Sequence, residues 1–129
     1  MAVDSADHQP TVIVVDDSDE IRDVLTLMLE SEGYRVLPVE DGETALLMTK
    51  RVQPALITLD IRLPREDGGE VLRQLKADPH TAAIPVIVIT GQSDLKDSVL
   101  RDGADGVLMK PFDLEEMQDL VHSLASQVR

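Results

Sequence analysis

Apolar residues in this chain follow two alternating rhythms. In one, most positions of a short run are apolar: Val12 to Val15, Tyr34 to Val39, Leu56 to Leu59, Pro85 to Ile89 and Gly106 to Met109. Such runs are short, bounded by turn residues, and fit strands covered on both faces. In the other, apolar residues recur at helical spacing. Ile21, Val24, Leu25, Met28 and Leu29 form one stripe, and Val71, Leu72 and Leu75 a second. Leu95, Val99 and Leu100 give a third, and Leu114, Met117, Leu120, Val121, Leu124 and Val128 a fourth. The stops agree with this division. Ser18 is a suitable N-cap for a helix to about Ser31, which Glu32-Gly33 ends, and Asp41 caps a second helix to about Arg51, closed by Gln53-Pro54. After turns at Leu63-Pro64 and Asp67-Gly68 a third helix runs to about Ala77, where Asp78-Pro79 breaks it. A fourth is expected from about Ser93 to Arg101. Asp113 caps the last, with Glu116 at the capping-box position.

The order is a strand followed by a helix, five times, with short connections. That alternation implies right-handed crossovers and an α/β fold with helices on both faces of a parallel sheet. Five units are too few for an eightfold barrel, so the expected form is the doubly wound open (βα)5 sheet with strand order 2-1-3-4-5. Residues 1–10 read as a flexible N-terminal arm, and 11–129 as one domain.

Composition narrows the function. With no cysteine the chain has no disulfide, thiolate metal site or thiol chemistry. A formal charge of −13 repels phosphate backbones and anionic membranes, so direct nucleic-acid binding by this domain is not expected. Tyr34 and Phe112 are the only aromatics, too few for stacking platforms. The acidic start has no apolar signal core, and no apolar run approaches the roughly 18 residues of a membrane span. A cytoplasmic location is the expectation.

Candidate chemistry lies at the strand ends. Asp16 and Asp17 follow the first strand, Asp60 the third, Thr90 the fourth and Lys110 the fifth. In a parallel sheet these ends share one edge, with neighbouring strands about 4.8 Å apart. Taken singly, each residue is more often a helix cap, a turn or a solvated lysine. Together they form a kit. Three converging carboxylates raise one another's pKa, which a hard divalent cation with oxygen ligands, Mg2+ foremost, relieves. An exposed carboxylate can then accept a phosphoryl group, with Mg2+, Lys110 and the Thr90 hydroxyl meeting its oxygens.

The segments VIVVDDS (12–18), ITLDIRLPREDGG (57–69), IPVIVITG (84–91) and VLMKPF (107–112), in this order and spacing, resemble the receiver domains of two-component response regulators, the CheY-like family. The resemblance spans about Thr11 to Val128. It implies Asp60 as phosphoacceptor, and Asp17, Asp60 and the Arg62 backbone carbonyl as Mg2+ ligands, with Asp16 acting through water. It further implies Thr90 as the switch hydroxyl, Lys110 as partner of the phosphoryl group, and a cis Lys110-Pro111 bond. The donor would be a phosphohistidine on a sensor histidine kinase or histidine phosphotransfer protein. Arg62 and Gln92 stand where the family tunes phosphate lifetime. Val107 occupies the place of an aromatic residue whose rotation often reports phosphorylation.

Rivals fit less well. A haloacid-dehalogenase-like aspartyl-phosphate phosphatase needs Asp-x-Asp on one strand, whereas Asp16 and Asp17 are adjacent. A flavodoxin-like electron carrier needs a hydroxyl-rich phosphate loop and flavin-stacking aromatics. A pseudo-receiver, a docking module without phosphorylation, would not need the complete acidic set. The opening methionine and short acidic arm suggest a native N terminus. Two arrangements fit the output: a stand-alone receiver, or the receiver part of a longer chain. Its expected output face is the fourth helix, fifth strand and fifth helix, unless it passes phosphate on in a relay.

Overall fold

The computed structural model describes residues 9–63 and 65–125. Expectations for residues 1–8, Pro64 and Val128 lie outside them. The elements are β1 (Thr11–Val15), α1 (Asp19–Ser31), β2 (Arg35–Val39), α2 (Gly42–Val52), β3 (Leu56–Asp60), α3 (Gly68–Ala77), β4 (Val86–Thr90), α4 (Lys96–Arg101), β5 (Gly106–Met109) and α5 (Leu114–Ala125). All five strands are parallel, in the order β2-β1-β3-β4-β5 expected from the sequence. Pro38 lies in β2, at the edge of the sheet, where a missing amide does least harm to the ladder.

Side-chain alternation along the strands divides the core into two clusters. Ile13, Val15, Ile57, Leu59, Val86 and Val88 pack with Ala45, Leu72, Leu75 and Val99, so α2, α3 and α4 cover one face. Val12, Val14, Leu56, Ile87, Ile89 and Leu108 pack with Leu25, Leu29, Met117 and Val121, so α1 and α5 cover the other. This is the doubly wound arrangement. Thr58 stands in the middle of β3, fully buried, and its hydroxyl meets no hydrogen-bond partner among the described residues.

Helix starts follow the expected caps. The Ser18 hydroxyl accepts the Ile21 amide at 3.2 Å, the Asp41 carboxylate the Thr44 amide at 2.7 Å, and the Asp113 carboxylate the Glu116 amide at 2.7 Å. Three details differ from the sequence reading. The segment expected as one helix from Ser93 opens as a 3-10 turn, Ser93–Leu95, before α4 begins; Gln92 offers no side-chain cap. In this short α4 only Val99 is buried, and Leu100 is exposed. Val24 and Leu114, expected in buried stripes, are 46% and 43% exposed. Val24 sits at the margin of the α1 stripe centred on Leu25, Met28 and Leu29, and Leu114 lies one turn before Met117, where α5 first meets the core.

The end of the sheet opposite the candidate site is tied by Lys76. Its ammonium donates to the Ala82 carbonyl (3.1 Å), the Ile84 carbonyl (2.8 Å) and the Asp105 carboxylate (2.9 Å). Asp105 also accepts the Val86 amide at 2.9 Å, so α3, β4 and the turn before β5 share one network. His80 and His122 are exposed. His122 lies 2.7 Å from Glu32 and packs edge-on near the Tyr34 ring.

The unpartnered Thr58 hydroxyl carries a desolvation cost that an isosteric methyl would not. Thr58→Val is expected to stabilise the fold by about 1 kcal/mol, read as a higher urea midpoint at unchanged m-value.

Candidate functional site

The carboxyl ends of β1, β3, β4 and β5 form one edge, and the chemistry-bearing residues gather there. In the β1–β3 register Val15 faces Leu59, which brings Asp16 beside Asp60 one residue further on. Asp60 in turn faces Ile89, placing Thr90 just past it, and Thr90 faces Met109, the residue before Lys110. Carboxylate oxygens of Asp16, Asp17 and Asp60 all lie within 4.8 Å of one another. Asp16 and Asp60 are buried and Asp17 is exposed, so the cluster has a rigid floor and an open side.

Each acid is held differently. One Asp16 oxygen, Oδ1, accepts the Ser18 amide at 2.9 Å, while the other, Oδ2, is buried without a hydrogen-bond partner among the described residues. Burial, reinforced by the nearby Asp60 charge, pushes the Asp16 carboxyl up to about 6; the Ser18 amide and the Lys110 charge oppose the shift. Asp60 is fully engaged. Its Oδ1 accepts the Arg62 amide at 2.9 Å and its Oδ2 the Lys110 ammonium at 3.1 Å. An orphaned buried oxygen next to two further carboxylates fits a hard divalent cation, and all three residues can supply oxygen ligands.

Thr90 comes to the same edge but does not hydrogen-bond to Asp60. Its hydroxyl accepts the Gln92 amide at 3.0 Å, which leaves the hydroxyl proton free to be donated, and its carbonyl accepts the Lys110 amide at 2.8 Å. The Lys110-Pro111 peptide is cis. The Arg62 and Gln92 side chains are exposed beside the site, whereas Val107 is half-buried on the α2–α4 side of the sheet.

The loop after Asp60 is more ordered than two successive turns. Arg62–Leu63 pairs with Glu66–Asp67 as a two-residue antiparallel ribbon, and the Gly68 amide returns to the Ile61 carbonyl at 3.2 Å. A Cβ on Gly68 would come within 2.5 Å of that carbonyl oxygen, so the return requires glycine.

Two contributors escaped the sequence reading. Arg22 donates to the Asp16 carbonyl at 2.7 Å and contacts the Asp19 carboxylate, bracing the loop that carries the first acids. Its spacing after Asp19 was the available signal. Glu66 gave none, because its partner is the Gly42 amide, 24 residues earlier in the chain. Together with Asp17, Glu40, Asp41, Glu43 and Arg65 it lines a cleft of about 680 Å3 beside the acid cluster.

Comparison with known proteins places this geometry. The family model for the response regulator receiver domain matches residues 12–122. The chain is 38% identical over 117 residues to the DNA-binding dual master transcriptional regulator RpaA of Synechocystis, covering 89% of this chain and 48% of that protein. It is 36% identical over 108 residues to the DNA-binding response regulator MtrA of Mycolicibacterium smegmatis, covering 82% and 46%. The chain thus spans about half the length of the curated relatives it matches. Among solved structures, the receiver domain of a signal transduction histidine kinase from Syntrophus aciditrophicus superposes with a TM-score of 0.85 at 34% identity, covering 93% of this chain and 92% of that one. The receiver domain of a sensor histidine kinase from Pseudomonas aeruginosa, described with a magnesium ion coordinated in its active-site cleft, gives 0.84 at 29% identity, covering 92% and 98%. No helix among the described residues is long and apolar enough to cross a membrane. With the match running from β1 into α5 and the acid cluster at the edge where the sheet order reverses, this chain belongs to the response regulator receiver domain family and is a regulatory domain of two-component signalling.

Proposed function

We propose that Asp60 accepts a phosphoryl group from a phosphohistidine on a sensor histidine kinase or histidine phosphotransfer protein, and that the domain itself promotes both the gain and the loss of that group. The observation that carries this reading is the convergence of three carboxylates within 4.8 Å, with the Lys110 ammonium 3.1 Å from the Asp60 carboxylate. Asp16, Asp17, Asp60 and the Arg62 carbonyl would hold Mg2+, which when bound neutralises charge on the transferring group. We take residues 11–129 as the unit that does this, with 1–10 as an arm ahead of it.

In the transfer, one Asp60 oxygen attacks phosphorus, the bond from phosphorus to the donor imidazole nitrogen breaks, and the electron pair leaves with the imidazole. The reaction asks for positioning and for cationic or hydrogen-bond partners to oxygens that carry the spreading charge. Lys110 already faces Asp60 and can follow the charge as it moves outward. The Thr90 hydroxyl supplies a donor from the adjacent strand end, and its move onto the phosphoryl group would carry the change toward the α4–β5–α5 face. Val107 can repack there but has no ring to swing. Arg62 and Gln92, exposed beside the acceptor, would govern water access and so phosphate lifetime.

The large acid excess makes this unit itself a poor ligand for nucleic acid. DNA binding is a property named for RpaA and MtrA, of which this chain covers about half.

Incubation with acetyl phosphate and Mg2+ is expected to add the mass of one phosphoryl group to the wild type and none to Asp60→Asn; equal gain in both overturns the assignment. Arg62→Ala and Gln92→Ala are each expected to change the phosphate half-life by at least about threefold, followed as loss of that mass with time. Cation binding should also depend on Asp16. Its carboxyl is raised from 3.8 to about 6, so over that interval the folded chain holds a proton the unfolded chain has released. Without divalent cation, stability should therefore fall as pH rises through this window and level off above it. Mg2+ competes with that proton, so the rise in Tm on adding Mg2+ should be clear at about pH 7.5 and largely lost at about pH 5.

A further inference from the structure

One carboxylate in the cleft beside Asp17 has a partner that the proposed chemistry does not use. Glu66 Oε2 accepts the amide of Gly42, the first residue of α2, at 2.5 Å. The Asp41 carboxylate takes the Thr44 amide, so the two acids divide free donors of the helix start between them. The bond is charge-assisted and stands at the positive end of the helix dipole. Its geometry also selects the residue opposite. A Cβ on Gly42 would lie 2.6 Å from Glu66 Oε1 and 2.5 Å from Val71 Cγ2, so glycine leaves the room that the carboxylate occupies.

Glu66 anchors the loop that serves Asp60. It pairs with Leu63 across the two-residue ribbon, and the neighbouring Arg62 gives its amide to Asp60 Oδ1. The inner end of the loop closes through Gly68 and Ile61. Its outer strand reaches α2 through Glu66. The end of β2 that leads into α2 is bonded in turn to the first acid loop, where the Asp16 amide donates to the carbonyl of Val39, the last residue of β2, at 3.1 Å. Two loops, after β1 and after β3, bring together Asp16, Asp60 and the Arg62 main chain, and the β2–α2 connection joins them: it meets the first through the Asp16–Val39 bond and the second through the Glu66 side chain on Gly42.

We propose that Glu66 is a positioning residue for phosphoryl transfer: by holding the Arg62–Asp67 ribbon against the start of α2, it fixes the Arg62 main chain relative to the Asp16–Asp17 loop. This rests on the reading of Asp60 as phosphoacceptor. The role requires an oxygen acceptor at that place rather than a charge. Glutamine supplies the acceptor, and alanine or methionine does not.

The test compares the full chain with Glu66→Ala, Glu66→Gln and Asp60→Asn. Two quantities are measured: the rate of mass gain from acetyl phosphate at saturating Mg2+, and exchange of the Gly42 amide by NMR. Glu66→Ala is expected to slow phosphorylation about 5- to 10-fold and to speed Gly42 exchange, while Glu66→Gln stays within about twofold of wild type in both. If Glu66→Ala fails to fold, Glu66→Met, which keeps the length of the side chain, carries the same comparison. A Glu66→Ala rate within about twofold of wild type overturns the proposal. A Glu66→Gln rate as slow as that of Glu66→Ala also overturns it, since the charge alone would then matter. If Asp60→Asn gains phosphate like the wild type, the phosphoacceptor reading falls and this proposal with it. With Asp60→Asn inert and Glu66→Ala fully active, only the positioning role fails.

Discussion

Repulsion between like charges is the constraint around which this domain is arranged. Asp16, Asp17 and Asp60 present oxygens within 4.8 Å of one another, and two of the three residues are buried. Such a group would spread apart if it stood on mobile loops. Here it cannot, because β1 and β3 are hydrogen-bonded neighbours in the middle of a sheet covered on both faces. The cost shows in Asp16, whose carboxyl burial and the Asp60 charge push up to about 6. Partial relief comes from Lys110, from the Ser18 amide on Asp16 and from the Arg62 amide on Asp60. One buried Asp16 oxygen keeps no hydrogen-bond partner among the described residues, an arrangement that suits a cation.

The two ends of the sheet are built for different purposes. At the amino end, Lys76 gathers two carbonyls and the Asp105 carboxylate, and Asp105 takes the Val86 amide. That network consumes its polar groups internally. At the carboxyl end the acid loop instead leaves Asp17 exposed on the cleft. The α2–α4 and α1–α5 layers lie on opposite faces of the sheet, and the loops at its carboxyl edge lead into both.

Membership of the receiver family accounts for the acid cluster, the lysine and the threonine, but not for every residue near them. Val107, Arg62, Gln92 and Glu66 surround the shared kit without belonging to its acid, hydroxyl and ammonium set. Their positions differ. Arg62 and Gln92 stand in solvent beside the acceptor, Val107 lies half-buried on the α2–α4 side of the sheet, and Glu66 links the acceptor loop to α2. On the proposed function, duration of the signal, its exit and the rigidity of the site would be adjustable at separate places.

Much of this protein is legible from the chain alone. Strand runs, helical stripes and caps such as Ser18, Asp41 and Asp113 are local signals, and the alternation of strand and helix leaves few topologies, so fold class, strand order and the acids, hydroxyl and ammonium at the strand ends can be read in advance. Local signals fail where a residue's environment is set by distant segments. The exposure of Val24 and Leu114 depends on where the sheet and its covering helices end, which spacing does not encode. The 3-10 start before α4 reflects a missing cap together with the packing of Val99. Glu66 reads as one more acid in a turn until folding brings Gly42 to it. The raised Asp16 carboxyl likewise exists only once β1 lies beside β3, because desolvation and a neighbouring charge are properties of the assembled edge rather than of any stretch of sequence.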